Sequence, residues 1–306
     1  MPIKSRTVLT AKVEGTYGTD PTPVNTDAIE VFDLQLTFPS RVVDRAILSN
    51  TMSKVKPLHG GKYGQLSFSC ELKGSGAAGT VPDWLVLAEA CGMNNTNVPS
   101  TSDTLAPLSS AITSVTIYAY RDGMIYEFNG CRGNMDIVLQ AGAPGILNFT
   151  FSGIPVDVID GAIVSPTVDT TVPEIVKNAT FTMGAYAAEI SNLSMSLNTQ
   201  VEMVDSVNAA DGYVRADIVD RQPAGSFDPE VVLVATNDYW SHWEDGTTKA
   251  LSIVLGATAG NIVTITAPAI TYRELTEAER SGTMIYEIPF TLAESTGDDE
   301  ISIALT

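Results

Sequence analysis

Residues 112–155 read ITSVTIYAYRDGMIYEFNGCRGNMDIVLQAGAPGILNFTFSGIP. Four apolar runs, at 115–120, 124–128, 135–139 and 146–151, are rich in Val, Ile, Tyr and Phe, the residues that suit a pleated, half-buried surface. Asp122-Gly123 between the first two runs is a tight-turn signal, and Gly130, Gly133, Gly142 and Gly145 supply further breaks. The stretch is therefore expected to form a four-stranded antiparallel meander. It places the chain in the all-β class with minor α.

Working outward, alternation marks 29–38 and 64–73 as strands, the latter with Leu66, Phe68, Cys70 and Leu72 on one face. Between them, residues 40–62 carry Arg41, Arg45, Lys54, Lys56 and Lys62 against a single acid, Asp44. This weakly patterned segment reads as a long projecting loop or hairpin, and long loops between neighbouring strands usually serve a contact. Residues 82–91 open with Pro82 and Asp83 and stop at Gly92, which predicts a helix. Residues 93–111 read as a polar connector. Residues 1–28, broken by Thr-Pro and Gly-Thr steps, read as an extended arm of the kind that lies on a neighbouring subunit.

After the meander the order of elements restarts. A strand at 189–197, a long polar loop at 198–212 and a strand at 213–220 precede a helix expected over 228–243 from Asp228-Pro229 onward. Runs at 249–256, 261–266, 270–275 and 284–292 form a second meander, and 300–305 a final strand. The reading is an N-terminal arm (1–28), a first module (29–158), a linker (159–180) and a second module (181–306), two tandem β-sandwich modules each with a flanking helix. GMIYEF at 123–128 echoes TMIYEI at 283–288, but element order matches 283–288 with 146–151 instead, and element order is the guide followed.

Of the 306 residues, 44% are hydrophobic and the formal charge is −19, so a surface that grips phosphates is disfavoured. The charge is uneven. Residues 1–156 hold 11 Lys/Arg and 13 Asp/Glu (net −2), and residues 157–306 hold 6 and 23 (net −17). Such asymmetry suits faces that meet by complementary charge. Cys70, Cys91 and Cys131 lack CxxC spacing and read as buried thiols of a reducing compartment, and no signal peptide or membrane-spanning run is present.

No catalytic, cofactor-binding or metal-binding set emerges. The two histidines are His59, before Gly60-Gly61, and His242 in WSHWEDG, where Glu244 and Asp245 fit a solvated helix end better than a metal site. There is no Gly-x-Ser-x-Gly elbow, no P-loop and no dinucleotide fingerprint.

Residues 122–154, DGMIYEFNGCRGNMDIVLQAGAPGILNFTFSGI, resemble the hallmark stretch of tail tube proteins of long-tailed bacteriophages. So do LTAKVEGTYGTDPTP at 9–23, ADGYVRADIVDRQPAGSFDPE at 210–230 and TTKALSIVLGATAGNIVTITAP at 247–268. The resemblance implies a β-sandwich whose inner sheet joins its neighbours into a ring-shaped barrel, with rings stacked into a hollow tube that conducts DNA. A chain with two modules would form a trimeric, pseudo-sixfold ring, and a single-module chain a hexamer. Implied partners are further copies of the chain and the tail terminator, tape measure and distal tail proteins. DNA would pass without specific binding, no membrane would be involved, and assembly in the host cytoplasm would deliver the protein to the virion tail. The tube of a contractile injection system is a related reading, disfavoured by chain length. A sugar-binding β-sandwich of a tail tip or adhesin is an alternative from another class, for which only Tyr239, Trp240 and Trp243 come close to a platform.

The opposite charges of the two long loops suggest a contact between rings. Arg41, Arg45, Lys54, Lys56 and Lys62 of one subunit would meet Glu202, Asp205, Asp211, Asp217 and Asp220 of a neighbour. Exposed pairs contribute only ~0–1 kcal/mol each, so they would set register more than strength.

Overall fold

The chain is described over residues 3–306 by a computed structural model, in which every ladder between named strands is antiparallel and two short helices, Leu85–Ala90 and Tyr239–Glu244, accompany the strands. Its axis is a single 17-residue strand, Met124–Gln140. The sequence reading divided this strand at Gly130 and Gly133. Both glycines instead lie inside it, for a different reason. Gly130 (φ 62°) marks a β-bulge, where the register slips between Phe128 and Cys131 on one edge and between Asn129 and Arg132 on the other. At Gly133 an added Cβ would stand 2.4 Å from the Thr150 carbonyl oxygen and 2.6 Å from the Phe151 ring. The meander thus has three strands, Val115–Arg121, Met124–Gln140 and Ile146–Pro155.

Val263–Tyr272 corrects the second meander in the same way, running straight through Pro268. Proline cannot donate to a ladder and is tolerated where pairing is interrupted. Here one edge slips between Lys249 and Leu251, and the other passes from Ser302–Leu305 to Thr283–Ala293 on either side of Pro268.

The strands form two arrays with one pairing order. The first runs Thr7–Val13, Val115–Arg121, Met124–Gln140, Ile146–Pro155, Gly64–Glu71, Phe32–Thr37. The second runs Thr180–Met183, Lys249–Leu255, Val263–Tyr272, Thr283–Ala293, Ala224–Phe227, Asn192–Ser196. In each, a hairpin is inserted between the last strand named and the one beside it, and a short helix follows. Thr283–Ala293 occupies the place of Ile146–Pro155, the match that element order gives. The arrays are continuous: residues 136–140 of the central strand pair with Asn192–Ser196, with Ile137 opposite Met195 and Leu139 opposite Leu193.

Several expectations are corrected. Thr7–Val13 is no free arm but an inner strand, with Leu9 and Thr10 fully buried; Met1 and Pro2 lie outside the described residues. Residues 93–111 contain the hairpin Met93–Val98 with Ser102–Pro107, whose second strand pairs with Ser302–Leu305. Residues 198–212 begin with the strand Thr199–Asp205, which pairs with Tyr213–Arg221, so the strand returning to the main sheet is Ala224–Phe227. Helix covers only Tyr239–Glu244 of 228–243. Asp228-Pro229 prolongs the strand before it, since Tyr286 N donates to the Pro229 carbonyl at 2.9 Å and Glu230 bridges Ile285. Asp238, accepting from Ser241 N at 2.9 Å, is the helix cap.

One apolar core lies beneath the sheet, with Phe68, Phe149 and Phe151 stacked at 5.8–5.9 Å in the first array and Phe227 among Phe181, Tyr272 and Phe290 in the second. Because the strand at Gly133 has no room for a methyl group, Gly133→Ala is expected to destabilise the chain by about 1–3 kcal/mol. Chemical unfolding followed by tryptophan fluorescence measures this, and Gly246→Ala, where nothing stands within 4 Å of the added Cβ but φ is 61°, separates crowding from backbone strain.

Candidate assembly surfaces

The segment after the first strand locks the bulge. Glu14 is 7% exposed, and its carboxylate accepts from Gly130 N at 2.7 Å, Thr116 Oγ1 at 2.7 Å, Ser114 Oγ at 2.5 Å and Gly18 N at 2.6 Å. Four donors replace the water that a buried charge loses. Tyr17 Oη donates to the Gly130 carbonyl at 2.9 Å and accepts from Ala216 N at 2.6 Å, and burial pushes its pKa up to about 12. Arg132 stands 5.1 Å over the Tyr17 ring and donates to Asp217 at 3.0 Å and to the Ile112 and Ala216 carbonyls at 2.7 and 3.1 Å. The bulge therefore grips the hairpin Thr199–Asp205/Tyr213–Arg221, which carries the acids.

The basic hairpin, Ser40–Val43 with Leu58–Lys62, lies against this acidic one within the same chain. Arg41 bonds Asp205 at 3.0 Å and stands 5.7 Å over the Tyr213 ring. Lys62 Nζ lies 3.6 Å from Asp211, and Lys62 N donates to the Asp211 carbonyl at 3.1 Å. An added Cβ on Gly61 would come within 2.8 Å of that carbonyl oxygen. Four of the ten residues assigned from sequence to a contact between subunits, Arg41 with Asp205 and Lys62 with Asp211, thus pair with one another within one chain.

The other six divide. Asp217 is held by Arg132 and Arg215, Asp220 by Arg221 N and Gln222, and Glu202 by Gln200. Arg45 donates to the Lys56 carbonyl at 3.1 Å, and among the described residues Lys54 and Lys56 have no acidic partner within 4.0 Å. Beside these three cations the tip of the basic hairpin, residues 44–57, exposes Ile47, Leu48 and Met52.

A second surface escaped the sequence reading. On the continuous sheet, the face opposite the phenylalanines presents Ser67, Ser69, Asn148, Thr150, Ser194 and Ser226. Four of these side chains bond in pairs: Ser69 Oγ donates to Asn148 Oδ1 at 2.6 Å, and the Ser194 and Ser226 hydroxyls lie 2.8 Å apart. Asp136, bonded by Asn134 and Ser196, is an acid on this face, and alternation places Glu71 and Glu287 there too. The seven strands from Phe32–Thr37 to Thr283–Ala293 contain no lysine, and their one arginine is Arg132. The available signal was the frequency of Ser, Thr and Asn, and the absence of Lys, at the polar positions of the alternation.

The remaining candidates have partners within the fold, although Trp240 and Trp243 are partly exposed. Cys70, Cys91 and Cys131 are buried, which raises their thiol pKa values. Burial, aided by Lys249, holds His242 below the usual imidazole range, and no group of three His, Cys, Asp or Glu fit for a metal occurs among the described residues. Tyr239 is buried, Trp240 donates to Tyr286 at 3.0 Å and Trp243 to the Arg273 carbonyl at 3.0 Å.

Recurring antiparallel arrays, projecting hairpins and a hydroxyl-covered sheet define a structural β-protein whose business is done by surfaces. The chain belongs to the phage tail tube family: the family model described as "Phage tail tube protein" matches residues 4–304. No curated protein matches it. Membership implies a structural role as a component of the virion tail and self-assembly into a tube. No helix among the described residues is long and apolar enough to cross a membrane.

The Tyr17 hydroxyl gives a pH test. Its folded pKa, raised to about 12, lies above its ordinary value of 10.0, so its contribution is complete below pH 10 and lost as pH rises through 12. Tyr17→Phe is expected to cost about 1–2 kcal/mol at neutral pH by removing two hydrogen bonds, and to flatten the fall in stability between pH 10 and 12. Melting temperatures of both proteins at pH 8 and pH 11.5 check it.

Proposed function

We propose that three chains close into a ring of six arrays, that rings stack into the hollow tail tube, and that the hydroxyl-covered face of the continuous sheet walls the channel through which DNA passes into the host. The observation that carries this reading is the recurrence of one array, with its hairpin and helix, inside one chain. Two equivalent units per chain make three chains equal to six positions. A closed ring also covers sheet edges that would otherwise aggregate.

The wall suits its cargo. A polyanion sliding past serines, threonines and asparagines meets neutral hydroxyl and amide groups, several already bonded to one another, and no lysine to hold its phosphates. The net charge of −19 repels DNA over a longer range. On this reading the channel lining is hydroxyl-rich and free of lysine, with Glu71, Asp136 and Glu287 contributing acidic rings. The chain is assembled in the host cytoplasm, and its tube ends meet the terminator and distal tail proteins while the tape measure occupies the lumen.

Stacking falls to the tip of the basic hairpin. Since Arg41 and Lys62 are engaged within the chain, Arg45, Lys54 and Lys56, with Leu48 and Met52, are the groups free to meet the acidic surface of the next ring. The triple variant Arg45→Glu, Lys54→Glu, Lys56→Glu is expected to fold and form rings but to lengthen into tubes at least tenfold more slowly. Negative-stain microscopy and light scattering read the outcome. Tubes forming at the unaltered rate would remove the hairpin tip from the stacking contact, and an unaltered protein that never forms rings or tubes would sink the whole reading.

A further inference from the structure

The chain contains one filled seam and the two open halves of a second. In the filled seam, residues 136–140 pair with Asn192–Ser196, the strand at the outer end of the second array's order. Its counterpart in the first array is Phe32–Thr37, which pairs with Gly64–Glu71 on one side and with no strand on the other among the described residues. The counterpart of residues 136–140 is Thr276–Arg280. The former is the C-terminal end of its array's axial strand and the latter follows its own, and each pairs with that strand's neighbour, Ile146–Pro155 in one case and Thr283–Ala293 in the other. Thr276–Arg280 likewise has no strand on its outer edge among the described residues.

We propose that the outer edge of Thr276–Arg280 in one chain pairs antiparallel with the outer edge of Phe32–Thr37 in the next copy, repeating between chains the seam already made within one. The inference rests on the ring proposed above and specifies where it closes. The internal seam supplies the register. Phe151, beside Leu66, and Phe290, beside Gly225, hold matching places, so Ile146 matches Ile285, and their partners Val138 and Ala278 match in turn. Ser226 stands beside Ser194 as Ser67 stands beside Gln35. Val138 faces Ser194 in the filled seam, which sets Ala278 opposite Gln35 in the open one.

Charge agrees with this register. Arg121 donates to the carbonyl of Leu34, a residue of the open-edged strand, at 3.0 Å, and no carboxylate lies within salt-bridge distance of it among the described residues. Its Nε is buried without a partner. Glu277 and Glu279 on the opposing edge are exposed and have no basic partner. Pairing brings the unneutralised cation and the two acids to one seam.

The test is a disulfide in the full-length chain, whose three native cysteines are buried. Gln35→Cys/Ala278→Cys is expected, after oxidation of assembled protein, to give covalent oligomers ending at a closed trimer, in more than half of the chains. Each single variant should give none of these beyond a dimer background. Val138→Cys/Ser194→Cys calibrates the geometry, forming its bond within one chain. Rings or tubes that form without linkage, while the internal control links, would overturn this seam and leave the proposed function standing. An unaltered chain that remains monomeric at every concentration overturns both.

Discussion

A buried carboxylate with four hydrogen-bond donors, Glu14, holds the bulge on which the architecture depends. The register of this 17-residue strand slips on both edges around Gly130, where the bulge lies. Fixing it there lets the first half of the strand pair with Val115–Arg121 and the second half with Asn192–Ser196. One strand therefore belongs to both arrays. The connection between them is a hydrogen-bonded ladder, stiffer than any linker.

The same bulge reaches the surface through Tyr17 and Arg132. These two side chains carry the position of the central strand to Ala216 and Asp217, and so to the acidic hairpin. The basic hairpin then leans on the acidic one through Arg41, Lys62 and Tyr213. The exposed pair Arg41–Asp205 contributes little by itself. With the close approach of Gly61 to Asp211 and the edge-on contact of Tyr63 with Tyr213, it gives two long hairpins one shared direction. A stacking element must be held in this way, because a floppy hairpin would lose its ordering entropy on every contact.

The division of the sheet into an aromatic face and a hydroxyl face connects stability with function. The phenylalanines below supply the burial, and the polar face above is made largely of neutral hydroxyl and amide groups, some bonded in pairs, such as Ser69 with Asn148 and Ser194 with Ser226. A surface of neutral hydroxyls and amides without a lysine has little with which to hold a passing phosphate backbone.

Much of this was legible in residue order. Alternation identified the strands around Phe68 and Phe149, charge identified the basic hairpin, and element order, against the local echo of MIYE, matched Thr283–Ala293 with Ile146–Pro155. These readings succeed because period and composition are local. The glycines misled because the same residue serves a turn, a bulge and a close approach, and only the neighbours distinguish them: the Glu14 carboxylate at Gly130, the Phe151 ring at Gly133. Asp228-Pro229 misled because a helix-start signal is also compatible with an edge strand once Tyr286 is there to donate. By itself the sequence determined an all-β chain, the repeated order of its elements and the sign of each hairpin's charge. Tertiary structure alone decided that Asp205 and Asp211 face Arg41 and Lys62 of their own chain and that one strand serves two arrays, because both depend on contacts between residues far apart in the chain, which no local pattern encodes.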